Sequence, residues 1–229
     1  MNVLVACEES QEVCKAFRER GHRAFSCDVQ ECSGGHPEWH IQGDVLPLLN
    51  GSCTFQTADT HTHTQNGPWD LLIAHPPCTF LSAAGAVRLF NADHTIKDAD
   101  RLRKGYEAKA FFLMMLNSKA KKICVENPVP LSIFHLPPYS QIIEPYQFGD
   151  PWKKRTCLWL KGLPKLLPTN EVKPIGYWVG AHGHDKAKNG MSKGFRDPKK
   201  RSKTFPGIAK AMVQWGETGE ETIIRKEQI

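Results

Sequence analysis

The 229-residue sequence predicts an α/β fold, a parallel sheet with helices on both of its faces. Strand, helix and strand signals follow one another within the first thirty residues, which is how a βαβ unit begins. Three apolar runs, FSCD, LLIAHPPC and ICVEN, each end on an acid or a cysteine. In open α/β sheets the carboxyl ends of the strands are where ligands bind.

The elements follow in order. Residues 2–6 (NVLVA) are short and apolar, fit for a buried strand. In EESQEVCKAFRERG, Val13, Ala16 and Phe17 share one helical face and Gly21 supplies the stop. HRAFSCD is a second strand ending on Asp28, and HIQGD, after a loop, ends on Asp44. Residues 50–68 are polar and without periodicity, and are read as a flexible insertion. Within them His61 and His63 alternate with threonine, the pattern of a solvated loop and not of a metal site. WDLLIAH is the next strand. A helix over about residues 99–118 follows, with Ala108, Phe111, Phe112 and Met115 at helical spacing for the core. KKICVENP is a further strand, and residues 141–162 suit two antiparallel strands. PGIAKAMVQWG is the last helix. The domain reading is a core over 1–164, a small basic region over 165–204, a closing helix over 205–216 and a loose tail over 217–229.

Composition narrows the class. The chain is 40% hydrophobic and 24% charged, and no apolar run approaches the ~20 residues that cross a bilayer. The start lacks the basic and apolar regions of a signal peptide, so a cytoplasmic location and no membrane partner are expected. Of eight cysteines none forms a CxxC pair. Reduced thiols and no structural zinc follow from that. The net charge is +6, and between Lys186 and Lys203 eight basic residues stand against Asp197 alone, +7 in all, which leaves −1 for the rest. Such concentration suits contacts with phosphates.

The first strand–helix turn, ACEESQEV, holds no glycine and so offers no phosphate cradle. An acid closing the second strand still suits a ribose. A nucleoside without pyrophosphate fits both facts, and S-adenosylmethionine is one. Cysteine and glutamate at the other strand ends suit addition to a pyrimidine. A thiolate adds to C6, a carboxyl protonates N3, and C5 becomes nucleophilic. Pro76 and Pro77 fix φ near −65° and stiffen the turn that presents Cys78.

These stretches resemble the DNA cytosine-5 methyltransferases, in particular their short phage members. HPPCTFLS is similar to that family's proline–proline–cysteine loop, VENPVP to its Glu-Asn motif, QGDV to its Gly-Asp motif and CDVQ to its ribose-binding acid. FGDPWKKRTCLWLKG is similar to its Gly-x-Pro-Gln-x-Arg-x-Arg strand pair, and SKTFPGIAKAMVQW to its closing helix. The resemblance implies a Rossmann-like class I fold that uses S-adenosylmethionine, yields S-adenosylhomocysteine and needs no metal. It implies Cys78 as nucleophile, Glu126 as the acid on cytosine, and Arg155 as the first arginine of the strand pair. Cofactor contacts would fall on Cys7, Glu8, Glu9, Asp28, Val29, Asp44, Val45 and Pro76. DNA contacts would fall on Ser82, Lys193, Arg196, Lys199, Lys200 and Arg201, with the target cytosine flipped from the duplex. The first motif departs from the family's Phe-x-Gly-x-Gly, and the recognition region is small, which implies few base contacts. A monomer is expected. The competing readings are a non-catalytic DNA binder, a nucleotide C5-alkylating enzyme of the thymidylate-synthase kind, and an amino-group methyltransferase, against which Cys78 argues.

Overall fold

A computed structural model describes residues 1–178, 197 and 201–216. The strands are β1 (Asn2–Ala6), β2 (Arg23–Asp28), β3 (His40–Gln42), β4 (Cys53–Gln56), β5 (Thr62–Gln65), β6 (Leu71–Ala74), β7 (Lys122–Pro128), β8 (Gln141–Ile143), β9 (Trp152–Lys153), β10 (Thr156–Lys161) and β11 (Gly176–Tyr177). The helices described are α1 (Glu12–Glu19), α2 (Ala86–Leu89), α3 (Ala99–Leu116) and α4 (Pro206–Met212). A seven-stranded sheet runs in the order β3-β2-β1-β6-β7-β10-β8. Its strands are parallel except β10, which pairs antiparallel with both β7 and β8. The fold is therefore mixed α/β, as the opening βαβ pattern predicts.

Alternation along the strands divides the core in two. Val3 and Val5 of β1, with Leu71 and Ile73 of β6, face α1 and α4, where Val13, Phe17, Ile208 and Met212 meet them. Leu4 and Ala6, with Leu72 and Ala74, face Phe112 and Met115 of α3. Both faces are covered, so the strands read as continuous apolar runs. α1 ends where expected, with Gly21 at φ +77°, a conformation that favours glycine.

The expectation for residues 50–68 is corrected. β4 and β5 form an antiparallel hairpin in which Phe55 faces His63. Its order comes from tertiary packing. Phe55 and His63 lie against Phe25, with ring centroids 5.1 and 4.9 Å away, and buried Gln65 accepts from Arg23 at 3.0 Å. The alternating His/Thr run thus has one face turned inward, a period-2 pattern hidden by polar side chains. Among the described residues no helix is long and apolar enough to cross a membrane.

Candidate active site

Starting from β1, the chain leaves the sheet to one side through β2 and β3 and returns to the other through β6 and β7. A crevice opens at such a reversal, outside the carboxyl ends of the strands. The sequence-predicted residues divide between its two sides.

On the β2–β3 side, Cys7, Asp28 and Asp44 come together. Burial pushes the Cys7 thiol well up, and Asp28, Cys27 and Asp44 push it the same way. The main chain holds the three ends in place: the Gly43 amide donates to the Asp28 carbonyl at 2.9 Å, and the Glu8 amide to the Cys27 carbonyl at 3.2 Å. Asp28 accepts from the Gln30 amide and Asp44 from the Leu46 amide. Beside them Val29 is 72% exposed, an apolar side chain left on the surface, while Val45 is buried. Glu9 is half-buried.

Glu8 differs from expectation. It is 4% exposed and turned into the protein. Its two carboxylate oxygens accept from the amides of Val13 (2.6 Å) and Cys14 (3.2 Å) in the first turn of α1. A helix start leaves such amides without partners, and where a glycine-rich turn would aim them at a phosphate, this chain caps them with its own carboxylate. Burial raises the Glu8 carboxyl above its ordinary value, against His75 and the two amides. The amides of the turn therefore have their acceptor already, and no room is left for a pyrophosphate.

On the β6–β7 side the Pro-Pro-Cys turn follows β6. Pro76 is buried, and its carbonyl accepts from Asn127 Nδ2 at 3.1 Å. The Cys78 carbonyl accepts from the amides of Leu81 and Ser82. The segment after Glu126 is stitched to this loop, through Ala83 to the Val129 carbonyl (2.9 Å) and Leu131 to the Leu81 carbonyl (2.7 Å). From α3, Arg101 donates to the Thr79 carbonyl and lies 5.1 Å from the Phe80 ring. Ser82, expected at DNA, accepts from the Ala84 amide and starts the short turn after the loop.

Cys78 and Glu126 sit within electrostatic reach of each other. Burial raises the Cys78 thiol, and Glu126 adds to the rise, while Lys154, the residue's own amide and Arg201 draw it back. Burial also pushes the Glu126 carboxyl up. A hydrogen bond from His75, the charges of Lys154 and His75, and the Thr156 hydroxyl outweigh that and leave it below its ordinary value. His75 Nδ1 is 3.2 Å from Glu126 Oε2.

Arg155 is a correction. Its side chain is exposed and interacts with Glu144 and Cys157, whereas Lys154 is the cation that reaches Glu126 and Cys78. Neighbours on an extended chain point to opposite sides, so Lys154 and Thr156 share the crevice side and Arg155 does not. Counting from Gly149 and Pro151 in the quoted Gly-x-Pro-Gln-x-Arg-x-Arg pattern already places Lys154 and Thr156 at the two arginine positions. Sequence reasoning also missed His75 and Asn127, which flank the two chemical residues as the H of HPPC and the N of ENP. Arg201 is the one expected phosphate contact that can be placed, within reach of Cys78, with its carbonyl accepting from Lys154 at 3.1 Å. Lys193, Arg196, Lys199 and Lys200, and the tail over 217–229, lie outside the described residues.

Among the described residues no group of three or more His, Cys, Asp or Glu is placed to hold a metal ion. His61 pairs with Asp59 at 2.6 Å. A separate apolar groove of about 410 Å³, lined by Leu46, Leu49, Leu113 and Met114, includes none of the crevice residues.

No family model and no curated protein matches the chain. Among solved structures, the methyltransferase EhMeth of Entamoeba histolytica is similar at a TM-score of 0.39 and 14% identity, over 75% of this chain and 57% of that one. The chain thus spans less than two thirds of that protein's length.

Proposed function

We propose that the protein is an S-adenosylmethionine-dependent methyltransferase of class I that modifies C5 of cytosine in DNA. The observation that carries this reading is the placement of Cys78 beside Glu126 on one side of the sheet's reversal, with Asp28 and Asp44 on the other. Numbered among themselves, the seven sheet strands run 3-2-1-4-5-7-6; the first five follow the order of doubly wound folds, and two more are added, of which the seventh is antiparallel to its neighbours. That agrees with the class I expectation.

The residues present fit the cofactor. Asp28 ends β2 where a ribose hydroxyl would be bound, Val29 offers an apolar surface beside it, and Asp44 stands close by for an adenine amino group. Glu8 closes the phosphate position, as a cofactor lacking phosphates allows. When bound, S-adenosylmethionine supplies an electrophilic sulfonium methyl group.

The chain's own residues do the rest. Cys78 gives its thiolate to C6 of a flipped cytosine, forming a C–S bond. The displaced electron pair reaches N3, which takes a proton from the Glu126 carboxyl, and C5 gains enamine character. Once C5 is alkylated, its proton passes to solvent water, the C6–S bond breaks to return the Cys78 thiolate, and N3 returns its proton to Glu126. Lys154 stabilises both the thiolate and the glutamate. The proline pair and the ties from Asn127 and Arg101 hold the thiol in place, which lowers the entropic cost of the addition.

The test is nucleoside mass spectrometry of DNA from cells free of cytosine methylation that express the wild type or Cys78→Ala. The expected result is 5-methylcytosine with the wild type and none with Cys78→Ala. Its absence from both overturns the reading. Its survival in Cys78→Ala overturns the covalent step.

A further inference from the structure

The first two turns of α3 carry the cations Arg101, Arg103 and Lys104. Arg103 pairs with Asp100 and Glu107, and Lys104 pairs with Asp100 at 2.7 Å, all of them exposed side chains. Arg101 is different. It is 8% exposed, and among the described residues no carboxylate pairs with its guanidinium. Asp98 meets only its main chain, accepting from the Arg101 amide at 2.8 Å as the cap of the helix. Of the guanidinium nitrogens, Nη2 donates to the Thr79 carbonyl, and Nε is buried without a hydrogen-bond partner among the described residues. The loop after Cys78 wraps this group. The Phe80 ring lies 5.1 Å away, and a Cβ on Gly85 would stand 2.6 Å from Nη2. Arginine keeps its charge in proteins, and buried charges are ordinarily paired. One carbonyl and one ring face leave this guanidinium short of an anion.

We propose that Arg101 binds a backbone phosphate of the DNA, the one on the 5′ side of the flipped cytosine. The inference rests on the function proposed above and adds a DNA contact that lies outside the basic segment. Thr79, whose carbonyl Arg101 holds, is joined directly to Cys78. In a pyrimidine nucleotide in the ordinary anti orientation, C6 faces the 5′ side of its own sugar. A thiol that bonds to C6 therefore lies near the 5′-phosphate, and a cation anchored one residue from that thiol is placed to meet it. A guanidinium suits the task because its planar fork matches phosphate oxygens. Nη2 is already fixed by the Thr79 carbonyl and the rest by the Phe80 ring, so the group loses little freedom on binding. Nη1, which makes no hydrogen bond to a described residue, is left for the phosphate. Lys154 and Arg201 also act on the Cys78 thiol. Cations from α3, from the stretch ahead of β10 and from the basic segment thus gather about one loop, although they are far apart in the sequence.

Two measurements on the full chain decide it. The first is the salt dependence of binding, by fluorescence anisotropy, to a mixed-sequence duplex with mismatched cytosines, whose extrusion costs least. Arg101→Met should weaken binding about equally on all sequences and make the slope of log K against log salt shallower by about 0.9, the share of one phosphate. Arg101→Lys keeps the charge and should keep the slope. A slope unchanged in Arg101→Met, or reduced equally in both variants, shows a tie to the loop without a phosphate and overturns the proposal. The second measurement uses the wild type and stands even where Arg101→Met fails to fold. It follows the arginine Nε–H signal in a proton–nitrogen correlation spectrum, assigned by its loss in Arg101→Lys. That signal should shift when the duplex is added. A signal that DNA leaves in place overturns the proposal. So does one that moves with inorganic phosphate at matched ionic strength and not with DNA, which marks a site for a free anion. Both measurements read binding and not chemistry. A wild type that binds DNA but transfers no methyl group sinks the function proposed above, and the slope and the signal still score Arg101. A wild type that methylates DNA with neither response leaves that function standing and overturns the phosphate contact.

Discussion

At the scale of single residues, the site turns on how a half-buried thiol becomes reactive. The thiolate is the nucleophile, and burial works against it. Cys78 is raised by burial and by Glu126, and lowered by Lys154 and Arg201. Alkylation of Cys78 by iodoacetamide, followed by peptide mass spectrometry, should therefore rise with pH around a midpoint above the ~8.5 of a free cysteine. Lys154→Met removes a lowering charge and should move the midpoint further alkaline. Glu126→Gln removes a raising one and should move it back towards acid. Equal midpoints in all three proteins would mean that these neighbours do not set the thiol. That Cys78 and Glu126 would meet was legible in the sequence, because both follow or close apolar strands, which pair side by side, and the prolines mark the turn. Lys154 and His75 were not. A lysine beside an arginine is resolved only by strand alternation, and His75 looks like the last residue of an apolar strand until Glu126 is brought against it from 51 residues away.

At the scale of elements, the strands and long helices followed from apolar periodicity, since each is buried on the face or faces that the pattern predicts. The hairpin of β4 and β5 did not, because its inward face uses His63 and Gln65, whose burial depends on Phe25 and Arg23 from β2. α3 shows the same dependence on a distant partner. Gly105 sits in its middle, where alanine would ordinarily add about 0.5–1 kcal/mol of helix stability. Here an added Cβ would lie 2.1 Å from Cζ of Phe134, a fully buried ring in the turn that follows β7. Overpacking of that kind costs roughly 1–3 kcal/mol, which outweighs the helix gain. Gly105→Ala should therefore lower the denaturant midpoint, with a net loss of about 1–2 kcal/mol from the two opposing terms. A stabilised variant would mean that Phe134 is free to shift, and that the stretch linking Glu126 to α3 is less tightly held than its packing indicates.

For the whole molecule, charge and topology converge on the same crevice. Arg201 lies within electrostatic reach of Cys78, and Lys203 Nζ donates to Ser33 Oγ at 3.1 Å, in the loop that follows β2 and Asp28. The end of the basic segment thus spans from the Cys78 side of the sheet reversal to the acid-lined side. A polyanion drawn to that segment would arrive over Cys78, which is what modification of a base within DNA requires. Electrostatics then makes a quantitative demand. Each phosphate neutralised on duplex DNA contributes about 0.9 to the slope of log K against log salt. Replacing Lys193, Arg196, Lys199, Lys200 and Arg201 by glutamine reduces the formal net charge from +6 to +1. If all five meet phosphates, the slope measured by fluorescence anisotropy on a duplex should become shallower by about 4 to 5. The remainder of the chain, with its slight negative charge, has little of its own to hold DNA at low salt. A slope unchanged by the five replacements would show that this segment does not meet phosphates, and that DNA, if bound, is held by the loop around Cys78. A slope reduced by only one or two would leave the duplex touching the end of the segment near Arg201, with the other four residues clear of the backbone.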